Sequence, residues 1–276
     1  MSIDLASVDA KLSRSTDHFD AIQNIVVPWL DAHLYGVTHK RNADCTEHRL
    51  VYWCSEELDL VRLSLMLGDA VHNLRSALDH FIYAVASDIA AQRDSDNWDS
   101  IAKTIAFPIT DCAQRFGSFY DRKLRPIFAN DLFDILESFQ PYIRTHPSSP
   151  PYLKLVRDLD DGDKHRLLKL AFFQPTEWEY SGTFGDVPTE ARPIGIMPSY
   201  RELKNGAEVA TVICKCPAPN LDLNGFKVGI NLLVLHEAGP HGTDRSELGT
   251  LYRGLNHEVT SVLNELHNFL DKTNAE

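Results

Sequence analysis

The sequence contains no CxxC pair, no GxxxxGK[ST] phosphate loop, no GxGxxG and no GxSxG. These absences remove the usual signatures of zinc ribbons and redox centres, nucleotide-driven enzymes, dinucleotide-dependent dehydrogenases and serine hydrolases. Positive charge is also scarce: 27 Lys and Arg stand against 39 Asp and Glu, for a formal charge of −12. A broad electrostatic grip on nucleic acid needs many phosphate-neutralising cations, so any contact with RNA must be local. No apolar run approaches the roughly 20 residues that span a bilayer, and the first stretch, MSIDLASVDAKLSRSTDHFD, is charged throughout. The expectation is a cytoplasmic protein with no membrane partner.

Cysteine is thinly spread. Cys45, Cys54, Cys112, Cys214 and Cys216 are odd in number and scattered, so reduced thiols are expected. Cys214 and Cys216 would share one strand face, which suits packing as well as metal binding. The acidic run DLDDGD lacks the alternating acids of a calcium loop and has Lys169 where the late Glu would stand. No cofactor and no metal ligand set is indicated.

What is present is a chain of 276 residues, 43% hydrophobic, long enough to bury one large core or two small ones. Apolar residues recur at helical spacing from Ile3 to Val27, and Pro28 is expected to end that helix. Residues 28–54 lack a clear period and read as loop with one short strand at RLVYW. From Glu56 to about Ala91 the stripe Leu60, Leu63, Leu67, Val71, Leu74, Leu78, Phe81 and Val85 predicts a long core-facing helix. Shorter helices are expected over 112–122, 129–139 and 151–160, the last ended by a turn at Gly162. LLKLAFFQ, AEVATVICKC and FKVGINLLVL read as strands of one antiparallel sheet between about 167 and 236, the last by alternation of Phe226, Val228, Ile230, Leu232 and Val234. A C-terminal helix follows, with Thr243 or Asp244 as N-cap. The fold class is therefore α+β: a helical bundle over 1–150, then a β-rich part over 151–276 whose terminal helix packs back on the bundle, the two alternatively forming one continuous domain.

The long central helix carries an unusual polar face. At about 100° per residue, His72, Ser76, Asp79 and Tyr83 fall within about 60° of arc, and Arg75 sits one turn before Asp79, at ion-pairing distance. Between Leu63 and Val85 there is no Glu and no Lys, although these dominate solvated helix faces. Short polar groups there point to a face covered by other protein, in which each must find a partner. A second polar island, Asp163 to Arg166 (DKHR), is expected to follow the Gly162 turn and begin a strand, with His165 and Arg166 on opposite faces.

GDAVHNLRSALDH (68–80), FPI (107–109), QPY (140–142) and DKHR (163–166), in this order, resemble a family of bacterial proteins with no assigned activity. The resemblance pairs the two islands without implying a reaction. Arg75 and His80 are also similar to the RxxxxH signature of HEPN domains, helical modules that commonly act as metal-independent ribonucleases in toxins and phage defence. That resemblance implies His80 as acid or base on the ribose and leaving oxygens and Arg75 as a stabiliser of phosphate charge. The two residues lie about 140° apart on one helix, so they converge through a kink or a second subunit, and a homodimer is implied.

Three functions follow as expectations. The first is RNA or phosphodiester cleavage by Arg75, His80, His72 and Asp79, with Lys164, His165, Arg166, Ser76 and Tyr83 binding substrate. In the second the polar face is a structural network in a partner-binding protein, held by contacts such as Arg75 to Asp79 and His72 to Asp163. In the third, a metal-dependent hydrolase, His72 and Asp79 join His165 or His80 around zinc, manganese or iron.

Overall fold

A computed structural model describes residues 4–93, 98–128, 132–144, 151–165, 168–173, 193–198, 202–223, 230–237 and 243–275. The chain forms two compact units that interleave along the sequence. One comprises Met1–Ile22, Ser64–Leu168 and Gly249–Glu276; the other comprises Gln23–Leu63 and Lys169–Leu248. The class is α+β, as expected.

The first unit is helical. It draws on α1 (Ala6–Asp31), α2 (Leu60–Arg93), α3 (Trp98–Ala102), α4 (Ala113–Phe119), α5 (Arg125–Phe128), α6 (Phe133–Ser138), α7 (Tyr152–His165) and α8 (Leu248–Ala275). Asp59 caps α2 by accepting the Arg62 N–H at 3.0 Å. The expected stripe of α2 is buried from Leu63 to Val85, and Ala70, Ala77, Ile82 and Ala86 are buried with it. This wider apolar face buries α2 on more than one side, but the polar face is covered only in part: Asn73 is buried, Arg75, Ser76, Asp79 and His80 are half-buried, and His72 and Tyr83 are exposed, against the expectation of a covered face. Each fully buried Leu, Val, Ile or Phe contributes about 1.5–3 kcal/mol. Phe19 of α1 stacks on Tyr252 of α8 with ring centroids 3.9 Å apart, and Ser15 donates to the Ala70 carbonyl at 2.8 Å. Gly254 lies under the Tyr152 ring, where a Cβ would collide with it.

The second unit holds two antiparallel sheets. One is ordered β1 (Tyr35–Arg41), β2 (Glu47–Cys54), β5 (Glu208–Cys214), β4 (Pro193–Pro198); the other is β3 (Lys169–Phe173), β6 (Asn231–Glu237), β7 (Thr243–Glu247). Register is set by pairs such as Val37↔Tyr52, His48↔Val212 and Leu170↔Val234. Trp29 stacks between Tyr35 and Phe172, each at 5.2 Å.

Several expectations are corrected. Pro28 lies inside α1, which runs three residues further to Asp31, because one proline removes a single intrahelical donor. The strand expected at RLVYW lies within β2, but the segment before it, read as loop, contains β1; β2 pairs with both β1 and β5, and the single expected sheet is two. Gly162 does not end α7: the helix continues to His165, so DKHR starts no strand and Asp163 is helical. Thr243 and Asp244 belong to β7 and not to a helix cap. Of the alternating strand, Leu232 and Val234 are buried and Asn231 is exposed; Phe226 to Gly229 lie outside the described residues, as do 129–131 of the helix expected at 129–139.

Candidate functional site

The polar face of α2 divides into three groups, all within the first unit. The first is centred on His72. Continuation of α7 through Gly162 brings Asp160 and Lys164 to one face, four residues apart. The His72 Nδ1 lies 2.8 Å from Asp160 Oδ1, and Lys164 Nζ donates to Asp160 Oδ2 at 2.6 Å. The Asp160 side chain is 3% exposed, whereas that of His72 is 51% exposed. Ser76 Oγ stands 3.4 Å from His72 Nε2, one turn along α2. Below them Asp163 presses on Gly68, where a Cβ would collide with its carboxylate. Only glycine permits that approach, which gives a reason for the G in GDxxH. Burial raises the Asp163 carboxyl above its ordinary value of 3.8, helped by Asp69 and Asp160 and opposed by His72.

The second group clamps an extended segment. Residues 107–110 lie in neither helix nor strand, so their backbone groups need side-chain partners. Arg75 Nη2 donates to the Phe107 carbonyl at 2.8 Å and forms an ion pair with Asp79 Oδ1 at 3.0 Å, and that carboxylate oxygen accepts the Phe107 N–H at 2.8 Å. Gln140, fully buried, donates to the Pro108 carbonyl at 3.0 Å and accepts the Thr110 N–H at 2.9 Å. Arg157 donates to the Ile109 carbonyl at 3.3 Å and to Asp111 at 3.1 Å. FPITD is thus held residue by residue. Burial raises the Asp79 carboxyl above its usual range, while Arg75 and the Phe107 N–H pull it back. Arg75 Nη1 is buried with no hydrogen-bond partner among the described residues.

The third group opens on a cleft of about 780 Å³ lined by Asp79, His80, Tyr83, Asp88 and Ile105, with Asp4 from the chain start. Tyr83 packs against Trp98 with centroids 5.6 Å apart. Three aspartates on its wall make the cleft repel anions.

The structure therefore brings His72, Ser76 and Lys164 together, joins Arg75 to Asp79 on the Phe107 backbone, and places His80 and Tyr83 on the cleft with Asp79. No hydrogen bond links Arg75 to His80 among the described residues. The His165 side chain and all of Arg166 lie outside the described residues. His72 meets Asp160 and not Asp163, since residue 160 is the one that shares a helical face with Lys164. Asp160 and Gln140 went unnoticed in the sequence, the first hidden among neighbouring aspartates and the second among ordinary surface-type amides. Reading α7 through to residue 165 would have exposed the first. Among the described residues no group of three or more His, Cys, Asp or Glu side chains is arranged to hold a metal ion, and no described helix is long and apolar enough to cross a membrane.

Chemically, a His72 tautomer that donates Nδ1–H to Asp160 presents the Nε2 lone pair toward Ser76. A buried carboxylate orienting a half-exposed imidazole is the arrangement a general base requires. No family model matches the chain, and no curated protein or solved structure is significantly similar to it.

Proposed function

We propose that this chain is a metal-independent hydrolase in which His72 is the general acid and base, with RNA phosphodiesters as substrate. The observation that carries the reading is the His72–Asp160 pair: Nδ1 is fixed at 2.8 Å by a buried carboxylate, and Nε2 faces Ser76 and solvent. His72 Nε2 takes the proton of the ribose 2′-OH, whose oxygen bonds to phosphorus as the P–O5′ bond breaks; Asp160 stabilises the imidazolium, and the proton passes to the leaving 5′-oxygen, giving a 2′,3′-cyclic phosphate and a 5′-hydroxyl. Lys164 supplies the cation beside this pair. Of the HEPN-like pair, Arg75 acts through the Phe107 segment as a positioning residue, and His80 stands at the neighbouring cleft. Purified protein incubated with total RNA should cleave it with and without EDTA. His72→Ala should lower the rate by about 10²–10⁴-fold, with His80→Ala affecting it far less. Intact RNA, or equal cleavage by wild type and His72→Ala, overturns the proposal, and cleavage abolished by EDTA returns the metal-dependent reading.

A second reading is favoured by a specific observation: both Arg75 and Asp79 are spent on the Phe107 backbone. On it the face is structural and the protein acts by binding a partner. Intact RNA in the same assay, with a melting temperature several degrees lower for Asp79→Asn, is the outcome that selects it.

A further inference from the structure

The second unit contains a cavity of about 330 Å³, separate from the His72 group, and its lining specifies the charge of what would fill it. Its floor is aromatic. Trp29, Tyr52 and Phe172 all line it and are 6%, 3% and 7% exposed. Trp29 is held rigidly by its stack with Tyr35 and Phe172 and by donation of Nε1–H to the Glu56 carbonyl at 2.6 Å. Leu58, Leu60 and Leu203 complete the apolar wall.

The polar groups around this floor are unevenly committed. Three of its donors are engaged: the indole N–H on Glu56, the Cys54 thiol on the same carbonyl at 3.0 Å, and the Asn205 amide on the Cys54 carbonyl at 3.1 Å. Lys204 Nζ, the one cation of the lining, lies 3.5 Å from Glu202. Glu57 is exposed and has no ion pair among the described residues. Its charge reaches the Tyr52 hydroxyl, which burial first, and then Cys54 and Glu57, push up from its ordinary value. The cavity therefore offers an unneutralised carboxylate beside aromatic rings.

We propose that this cavity binds a small organic cation, an aromatic or aliphatic ammonium whose apolar body rests on the Trp29–Tyr52–Phe172 floor and whose charge faces Glu57. An ammonium donates to Glu57 in a charge-assisted hydrogen bond while its apolar body covers the aromatic floor. A carboxylate ligand of the same shape sets its charge against Glu57 and Glu202, with Lys204 as the one cation of the described lining. A pocket at the small end of the ligand-site range suits a ligand of one ring. The site stands whether or not His72 is catalytic.

Titration calorimetry with phenethylammonium, 2-phenylethanol and 3-phenylpropionate tests the charge preference on a common phenyl body. The ammonium should bind at least about tenfold more tightly than the alcohol, and the carboxylate more weakly still. Glu57→Gln should remove most of that preference, whereas Lys204→Gln, which frees Glu202, should strengthen it. Both positions are on the rim, and unchanged melting temperatures verify that the variants fold. Absence of saturable ammonium binding, equal binding of the three compounds, or a preference untouched by Glu57→Gln in a folded variant overturns the proposal.

Discussion

Asp163 and Asp160 stand one turn apart on α7, yet their surroundings differ. Asp160 is buried against two cationic or proton-donating partners, His72 and Lys164. Asp163 faces Gly68, with Asp69 and Asp160 as like-charged neighbours and His72 as the opposing one. Its carboxyl is therefore raised in the folded chain above the 3.8 that it has when unfolded. In the window above that value the folded state retains a proton that the unfolded state has released. The stability this group contributes is present below the unfolded value and is lost as pH rises through the folded one. Asp163→Asn removes the titration while keeping the shape. Denaturant unfolding from about pH 4 to about pH 7 should show the variant gaining stability relative to wild type as pH rises. A difference that stays flat or shrinks with pH would show that Asp163 is not strained by its neighbours.

At the scale of elements, the 107–111 segment shows how a stretch without regular structure is fixed. Gln140 alone supplies both a donor and an acceptor to it, and replacement by leucine of similar size leaves the Pro108 carbonyl and Thr110 N–H without partners. At about 1–3 kcal/mol per buried orphan, Gln140→Leu should cost about 3 kcal/mol and lower the melting temperature by about 6–12 °C. A fall below about 2 °C would mean the segment is held by other contacts. The sequence made the long elements legible for the same reason that this clamp was hidden. α2 and α8 bury stripes repeated over many turns, so Leu63 through Val85 and Leu251 through Leu266 announce themselves by period. The partners of residues 107–111 come from α2, from Gln140 just beyond α6 and from α7, and no local pattern encodes such a meeting. β1 was illegible because an edge strand such as YGVTHKR is exposed or half-buried along its length and shows no alternation. Gly162 misled because a helical glycine costs only about 1 kcal/mol, which the buried Leu155, Val156 and Leu159 of α7 offset. Of the candidate site, the polar row on α2 was readable from its lack of Glu and Lys; the Asp160 that gives His72 its orientation was not.

Over the whole molecule, charge limits how the proposed RNA substrate would be held. The chain carries −12 overall, and the cleft beside His80 is lined by Asp4, Asp79 and Asp88. At the His72 group Lys164 is the cation at hand, since Arg75 is turned to Asp79 and Phe107. A substrate strand would therefore have about one or two phosphates neutralised. Single-stranded binding weakens with salt at a logarithmic slope of about −0.7 per phosphate. If His72 cleaves RNA, kcat/KM should fall by less than about tenfold when salt rises from about 50 to about 200 mM. A protein making six to ten phosphate contacts on duplex DNA loses about 10³–10⁵ in affinity over the same interval. A steep loss would require a cationic surface well beyond Lys164, and the His72 group could not then be the main determinant of substrate binding. A shallow loss together with the His72→Ala defect places recognition in the sugar and base contacts, where an acidic protein has no electrostatic disadvantage.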